Sequence, residues 1–92
     1  MSLAPRIHEV LARELAPTHV EVVDESHLHA GHAGARSGGG HYRVVVVSRA
    51  FEGKPLVARH RLVNALFAEE LKHAIHALAL TTLTPEEHAA RN

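Results

Sequence analysis

The stretch from His27 to His41, HLHAGHAGARSGGGH, holds four of the chain's ten histidines and five of its six glycines. Within it, His27, His29 and His32 are spaced H-x-H-x2-H. Neutral imidazole is a good ligand for zinc, copper, nickel or iron. A structural zinc site, however, needs a fixed tetrahedron, and a glycine-rich loop does not hold three imidazoles in one. Two readings stand side by side: a metal-binding loop in which at most one of these histidines has a dedicated role, and a solvated hairpin connection.

Two further places carry chemistry. In Arg59-His60-Arg61, the helical turn of about 100° per residue puts Arg59 inside the apolar stripe of Leu56, Val63 and Phe67. His60 falls at its edge, and Arg61 points away to meet an anion. Polar groups on a packing face need partners, so Arg59 or His60 is expected to tie the helix to a neighbouring backbone, with His60 the preferred structural anchor. His76, in AIHALAL, shares a strand face with Leu78 and Leu80 and so starts next to the core. Its place at the start of the strand would let one ring nitrogen reach the surface.

The elements that position these groups follow from periodicity. Leu3, Ile7, Val10, Leu11 and Leu15 mark an amphipathic helix over residues 3–15, closed by Pro17. HVEVVDE reads as a strand, with Val20 and Val22 pointing one way and Glu21 and Val23 the other. HYRVVVVS, with four consecutive valines, reads as a central strand buried on both faces. Gly53 gives the turn RAFEGKP its conformational freedom, and Pro55 suits the start of a helix. Leu56 to about Lys72 is helical, with one break near residues 65–68. AIHALALTTL is the third strand. A last short helix has Thr84 as N-cap, Pro85 at its first position and Glu87 at its third.

This order predicts an α+β fold, α-β-β-α-β-α. The first two strands form an antiparallel hairpin around a flexible Gly/His-rich loop over residues 27–40. The second and third run parallel through a helical crossover. The result is a three-stranded mixed sheet with helices packed on one side, as a single domain over residues 1–92 with a frayed tail at 88–92.

Composition bounds the function. With 92 residues, 46% hydrophobic and 22% charged, the chain is ordinary globular material. It has no cysteine, which rules out disulfides and any thiolate metal site built from this chain alone. MSLAPRIHEV has no apolar h-region, and no run of 18 apolar residues occurs, so no membrane partner is expected and a cytoplasmic location is read. The formal charge is zero but unevenly spread: residues 1–35 carry two basic and five acidic side chains, residues 36–61 six and one, and residues 62–92 two and four. The basic middle makes Lys54, Arg59 and Arg61 candidate contacts for an anionic partner such as DNA. No nucleophile–base pairing or carboxylate dyad stands out, so catalysis is not expected.

VEVVDES followed by a histidine-rich loop, then HYRVVVVS, FEGKPLVARHRLV, AEEL and IHALAL, resembles the BolA family. The resemblance runs in order from about Leu3 to Glu87. It implies a fold related to the class II KH domain. It also implies partnership with a monothiol glutaredoxin carrying glutathione, and a shared 2Fe–2S cluster. The family's ligands on this side are the histidine before Ala-Leu and a histidine or cysteine of the hairpin loop. These map to His76 and to His29, with His32 the competitor. The chemistry agrees, because this chain offers imidazole and no thiolate and so completes a cluster rather than holding one alone. Alone, it is expected as a monomer or weak homodimer. The family also implies an alternative, a DNA-binding transcriptional regulator. One departure bears on that alternative. Asn64 stands where the family often has Tyr, which removes an aromatic from the helix that would carry nucleic-acid contacts.

Overall fold

The computed structural model describes residues 2–26 and 40–91. Helix α1 (Ala4–Leu15) begins with proline in its first turn, where a missing N–H costs nothing, and buries Ile7, Val10, Leu11 and Leu15. It stops at Ala16, which is left-handed at φ 44°, ψ 56°. Pro17 follows and cannot extend the helix.

Strand β1 (His19–Asp24) pairs antiparallel with β2 (Gly40–Val47), from His19 opposite Val47 to Asp24 opposite Tyr42. Val20 and Val22 pack on the core, while Glu21 and Val23 are exposed. On its other side β2 pairs parallel with β3 (Ile75–Leu83), so the valine-rich strand is central. Val44, Val46 and Val47 are fully buried. A parallel neighbour requires a crossover. It consists of a 3-10 turn (Arg49–Phe51), helix α2 (Leu56–Leu66) and a second 3-10 turn (Glu70–Lys72). The expected break in the helix thus falls where Phe67 drops into the core. The turn before α2 has Gly53 at φ 76°.

The core joins Ile7, Val10, Leu11 and Leu15 of α1, Tyr42, Val44 and Val46 of β2, Ile75 of β3, and Phe51, Val63 and Phe67 of the crossover. Ser48 ties three elements together at the end of β2. Its buried hydroxyl donates to the Leu15 carbonyl at 2.6 Å and accepts from the Ala50 N–H at 3.0 Å, and its own N–H reaches the Leu83 carbonyl. The last helix, α3 (Pro85–Ala90), starts with a complete capping box: Thr84 accepts the Glu87 N–H at 3.1 Å, and the Glu87 carboxylate accepts the Thr84 N–H at 2.9 Å.

Two sequence expectations are corrected. Leu56 does not share the buried stripe of Val63 and Phe67. It is 62% exposed and Val57 61%. The stripe starts one turn later because Arg59 takes the position against β3 and α3, bonding the Thr82 carbonyl and Glu87. Nor does His76 lie on the face of Leu78 and Leu80. Gly40 pairs with Ile75, but His41 pairs with Ala77, so β3 carries one extra residue at His76. Such a bulge leaves a residue outside the ladder and resets the alternation of faces. Ile75 enters the core, and His76 turns to solvent.

Candidate metal centre

Parallel pairing puts the starts of β2 and β3 side by side, and each start carries a histidine. The rings of His41 and His76 lie 4.9 Å apart, centre to centre, tilted by 46°. The backbone around them is fixed from several directions. The His41 N–H donates to the Ser26 hydroxyl at 3.0 Å, and the His41 carbonyl accepts the Glu25 N–H at 2.8 Å. Ser26 is itself held by the Asp24 carboxylate, which accepts its N–H at 2.9 Å. The Gly40 N–H reaches the Ala74 carbonyl at 3.0 Å and so joins the two strands just before the bulge. Glu25 pairs with Arg43 at 2.6 Å.

Gly40 makes this corner possible. A Cβ there would lie 2.6 Å from a ring carbon of Tyr42, closer than real contacts allow. The Tyr42 ring folds over the glycine, and its hydroxyl accepts the Leu3 N–H at 3.0 Å. The start of β2 is thereby anchored to α1. On the other side of His76 a hollow of about 270 Å³ is lined by Leu71, Lys72, His73, Ile75 and His76.

An exposed imidazole on a strand start, beside a second one, suits an incoming metal centre. Among the described residues no group of three or more His, Cys, Asp or Glu side chains is placed to hold an ion. Two imidazoles leave a tetrahedral ion half ligated, so further donors must come from elsewhere. His29 and its competitor His32, together with His27, lie outside the described residues. His41 was missed by sequence reasoning, which counted it with the loop. The signal was present, because two parallel strands that each begin near a histidine must bring the two side chains together.

The basic candidates have different fates. Arg59 is 7% exposed. Its Nε–H donates to the Lys54 carbonyl at 2.7 Å, and one terminal nitrogen donates to the Thr82 carbonyl at 3.2 Å. Both terminal nitrogens donate to the Glu87 carboxylate, at 2.7 and 3.2 Å. The bond from Arg59, helped by the Thr84 N–H, lowers the Glu87 carboxyl to about 2, and the same bond raises the Arg59 pKa. This corrects the reading of Arg59 as a nucleic-acid contact: its donors are directed inward and it clamps α2 to β3 and α3. It also performs the anchoring that the sequence reading favoured for His60, which is half-buried. Lys54 and Arg61 are exposed. No helix among the described residues is long and apolar enough to cross a membrane.

Comparison with known proteins bears on what this corner is for. The family model described as BolA-like protein matches residues 11–87. The chain is 47% identical over 87 residues to SufE-like protein 1 of Arabidopsis thaliana, covering 89% of this chain and 24% of that protein. It is 42% identical to Protein BOLA1, chloroplastic, of the same plant, over 97% of this chain and 58% of that one. The DNA-binding transcriptional regulator BolA of Haemophilus influenzae is 40% identical over all of this chain and 86% of its own length. The chain thus spans a quarter to just over half of the two plant relatives, and most of the bacterial one. Among solved structures, the BolA domain of SufE1 from Arabidopsis thaliana superposes with a TM-score of 0.83 at 45% identity, covering 95% of this chain and 96% of that domain. Mixed sheet, capping box and paired strand starts therefore belong to a chain that is a member of the BolA family.

Proposed function

We propose that this chain is a non-enzymatic adaptor that docks on a monothiol glutaredoxin with its glutathione and shares a 2Fe–2S cluster with it, in iron–sulfur assembly, transfer or iron and redox sensing. The observation that carries the reading is His76: an exposed imidazole turned outward by a bulge, beside a second imidazole. The donor set fits a cluster held jointly. Such clusters take thiolates or, in the Rieske type, two imidazoles on one iron. This chain has imidazole and no cysteine, so the thiolates belong to the partner and its glutathione. The cluster is cargo here. The protein's part is to present neutral nitrogen donors and to fix their direction.

Co-expression with a monothiol glutaredoxin tests this reading. The expected outcome is co-purification of the two chains with a visible absorption and circular dichroism spectrum different from that of the glutaredoxin alone. Absence of any complex at micromolar concentrations, with both proteins folded and iron and sulfide supplied, would overturn it.

A second reading has its own support. The Haemophilus influenzae relative is named a DNA-binding transcriptional regulator, and Lys54 and Arg61 are exposed in the basic middle of the chain. With Arg59 occupied by Glu87 and Arg43 paired with Glu25, the cations left for phosphate among the described residues of that segment are Arg49, Lys54 and Arg61. This reading therefore amounts to weak, electrostatic binding, and we rank it second.

A further inference from the structure

We propose that the outer edge of β3, with the groove at its end, binds an extended peptide that has an acidic end. The peptide adds to the sheet as a fourth strand and sets its anion against Lys54 and Arg91. This goes beyond the shared-cluster reading and makes no use of the histidine corner.

Three observations carry it. The first is a row of free backbone groups. β3 lies at the edge of the sheet. The Leu83 carbonyl turns inward and accepts the Ser48 N–H at 2.9 Å. Backbone groups alternate in direction along a strand, so Leu78, Leu80 and Thr82 direct theirs outward. Among the described residues, the hydrogen bond made to this outward row is the one from Arg59 to the Thr82 carbonyl. Edges are normally guarded by charge, proline or a bulge. Here the guards stand at the two ends, the bulge at His76 and Arg59 at Thr82. Between them, residues 77–81 read ALALT, with no charge and no proline.

The second is the groove that continues this edge. It holds about 510 Å³ and is lined by Thr82 and Leu83 of β3, Pro55 and Leu56 at the start of α2, and Ala90 of α3. Its size lies within the range of ligand sites. Leu56 is 62% exposed because it faces this groove rather than the core.

The third is charge. Lys54 and Arg91 line the same groove, and both are exposed with no ion pair among the described residues. The groove's carboxylate, Glu87, is already held by Arg59 at 2.7 Å. Two cations therefore stand without a counterion. A second hollow of about 520 Å³ shares Arg59 and Glu87 but is lined by Glu52 and Glu86, so the bridge divides an acidic side from a cationic one. An anion has one favourable side.

A second copy of this chain fits less well. Pairing two β3 edges antiparallel brings the segment before one β3 to the groove of the other. That segment offers Lys72, and its carboxylates are engaged, Glu69 by Lys72 at 3.2 Å and Glu70 by Arg6 at 3.8 Å. Cation would meet cation. A peptide with acid at the groove end supplies both main-chain bonds and the missing counterion.

Fluorescence anisotropy on the full chain, without glutaredoxin or iron, tests the proposal. The labelled probes are TVTVLD with a free carboxyl terminus and its reverse DLVTVT as the amide, because either strand direction can bring the acid to the groove. At least one should bind at sub-millimolar concentration, and lysine in place of its aspartate should abolish binding. N-methylation of alternate peptide residues should abolish binding in one register and spare it in the other, since one set of N–H groups faces the edge. Lys54→Glu and Arg91→Glu should each weaken binding about threefold or more, the scale of an exposed ion pair. Leu56→Ser should also weaken it, and His76→Ala should not. Amide exchange at Leu78, Leu80 and Thr82 should slow when the peptide binds. No binding of either probe at millimolar peptide, equal loss in both N-methyl registers, or undiminished binding in the Lys54→Glu, Arg91→Glu double variant would overturn the proposal. So would slow exchange at Leu78 and Leu80 in the free chain together with a dimeric mass in sedimentation, which would give the edge to a second copy. An unchanged amide spectrum checks the fold of each variant.

Discussion

Single residues decide the geometry of the corner. Gly40 has no side chain because the Tyr42 ring occupies the space, and Tyr42 in turn receives the Leu3 N–H. Gly40→Ala should displace the ring, break that bond and loosen the start of β2. A cost of about 1–3 kcal/mol is expected, the range for overpacking a filled site. Urea unfolding would measure it, and the His41 and His76 amides should lose exchange protection before those of α2. Glu87 is a second decisive residue. Its carboxyl, held at about 2 by Arg59 and the Thr84 N–H against an ordinary 4.5, is depressed in the folded state. Stability from a depressed carboxylate is fully present above the unfolded value and is lost as pH falls through the folded one. The melting temperatures of wild type and Glu87→Gln should therefore differ most above pH 4.5 and converge toward pH 2.

At the scale of elements, the clamp and the caps set how α1, α2 and α3 sit on the sheet. Arg59 links α2 to the Thr82 carbonyl of β3 and to Glu87 of α3. Arg59→Ala removes charge-assisted bonds and should cost about 2 kcal/mol or more. In a domain of this size that lowers the melting temperature by roughly 10 °C. The loss should appear as early fraying of α3 in hydrogen exchange. Ala16 ends α1 in the left-handed region at φ 44°, where a Cβ is unfavourable by about 1–2 kcal/mol. Ala16→Gly should therefore raise stability slightly, by about 0.5–1 kcal/mol, the gain being reduced by glycine's extra freedom in the unfolded chain. A lower midpoint in Ala16→Gly would contradict the backbone account.

For the whole molecule, charge placement and topology bear on partners. Arg49, Lys54 and Arg61 of the basic middle are exposed, and Arg43 is exposed but paired with Glu25. Contacts through Arg49, Lys54 and Arg61 would release about three counterions on DNA, so affinity should fall roughly 40-fold between 50 and 200 mM salt. Fluorescence anisotropy with a short duplex reads this slope, and Arg61→Glu should flatten it further. Much of the architecture was legible in the sequence because its signals are local and repeated. The valine run marked the central strand, the stripe from Ile7 to Leu15 marked α1, and Thr84 with Glu87 marked the last cap. The candidate centre was legible only in half. His76 could be named from its place beside Ala77 and Leu78, but alternation put it on the wrong face, since a bulge in a parallel pair leaves no mark in the alternation of one strand. His41 was hidden by its glycine-rich neighbours, although the pairing of β2 with β3 implied its position. Arg59 carried the sign of a nucleic-acid contact, yet its fate depended on Glu87, 28 residues away.

The function proposed for this corner depends most directly on one imidazole. The deciding measurement is visible circular dichroism of the 2Fe–2S complex reconstituted from this chain, a monothiol glutaredoxin and glutathione, wild type against His76→Ala. His76 is exposed at its bulge and outside the core, so the variant should keep the wild-type amide spectrum and stability within about 0.5 kcal/mol, the usual range for a surface change. The histidine-dependent bands should disappear and leave the spectrum of the glutaredoxin's own cluster. Identical spectra for wild type and His76→Ala would contradict the claim that this corner ligates iron.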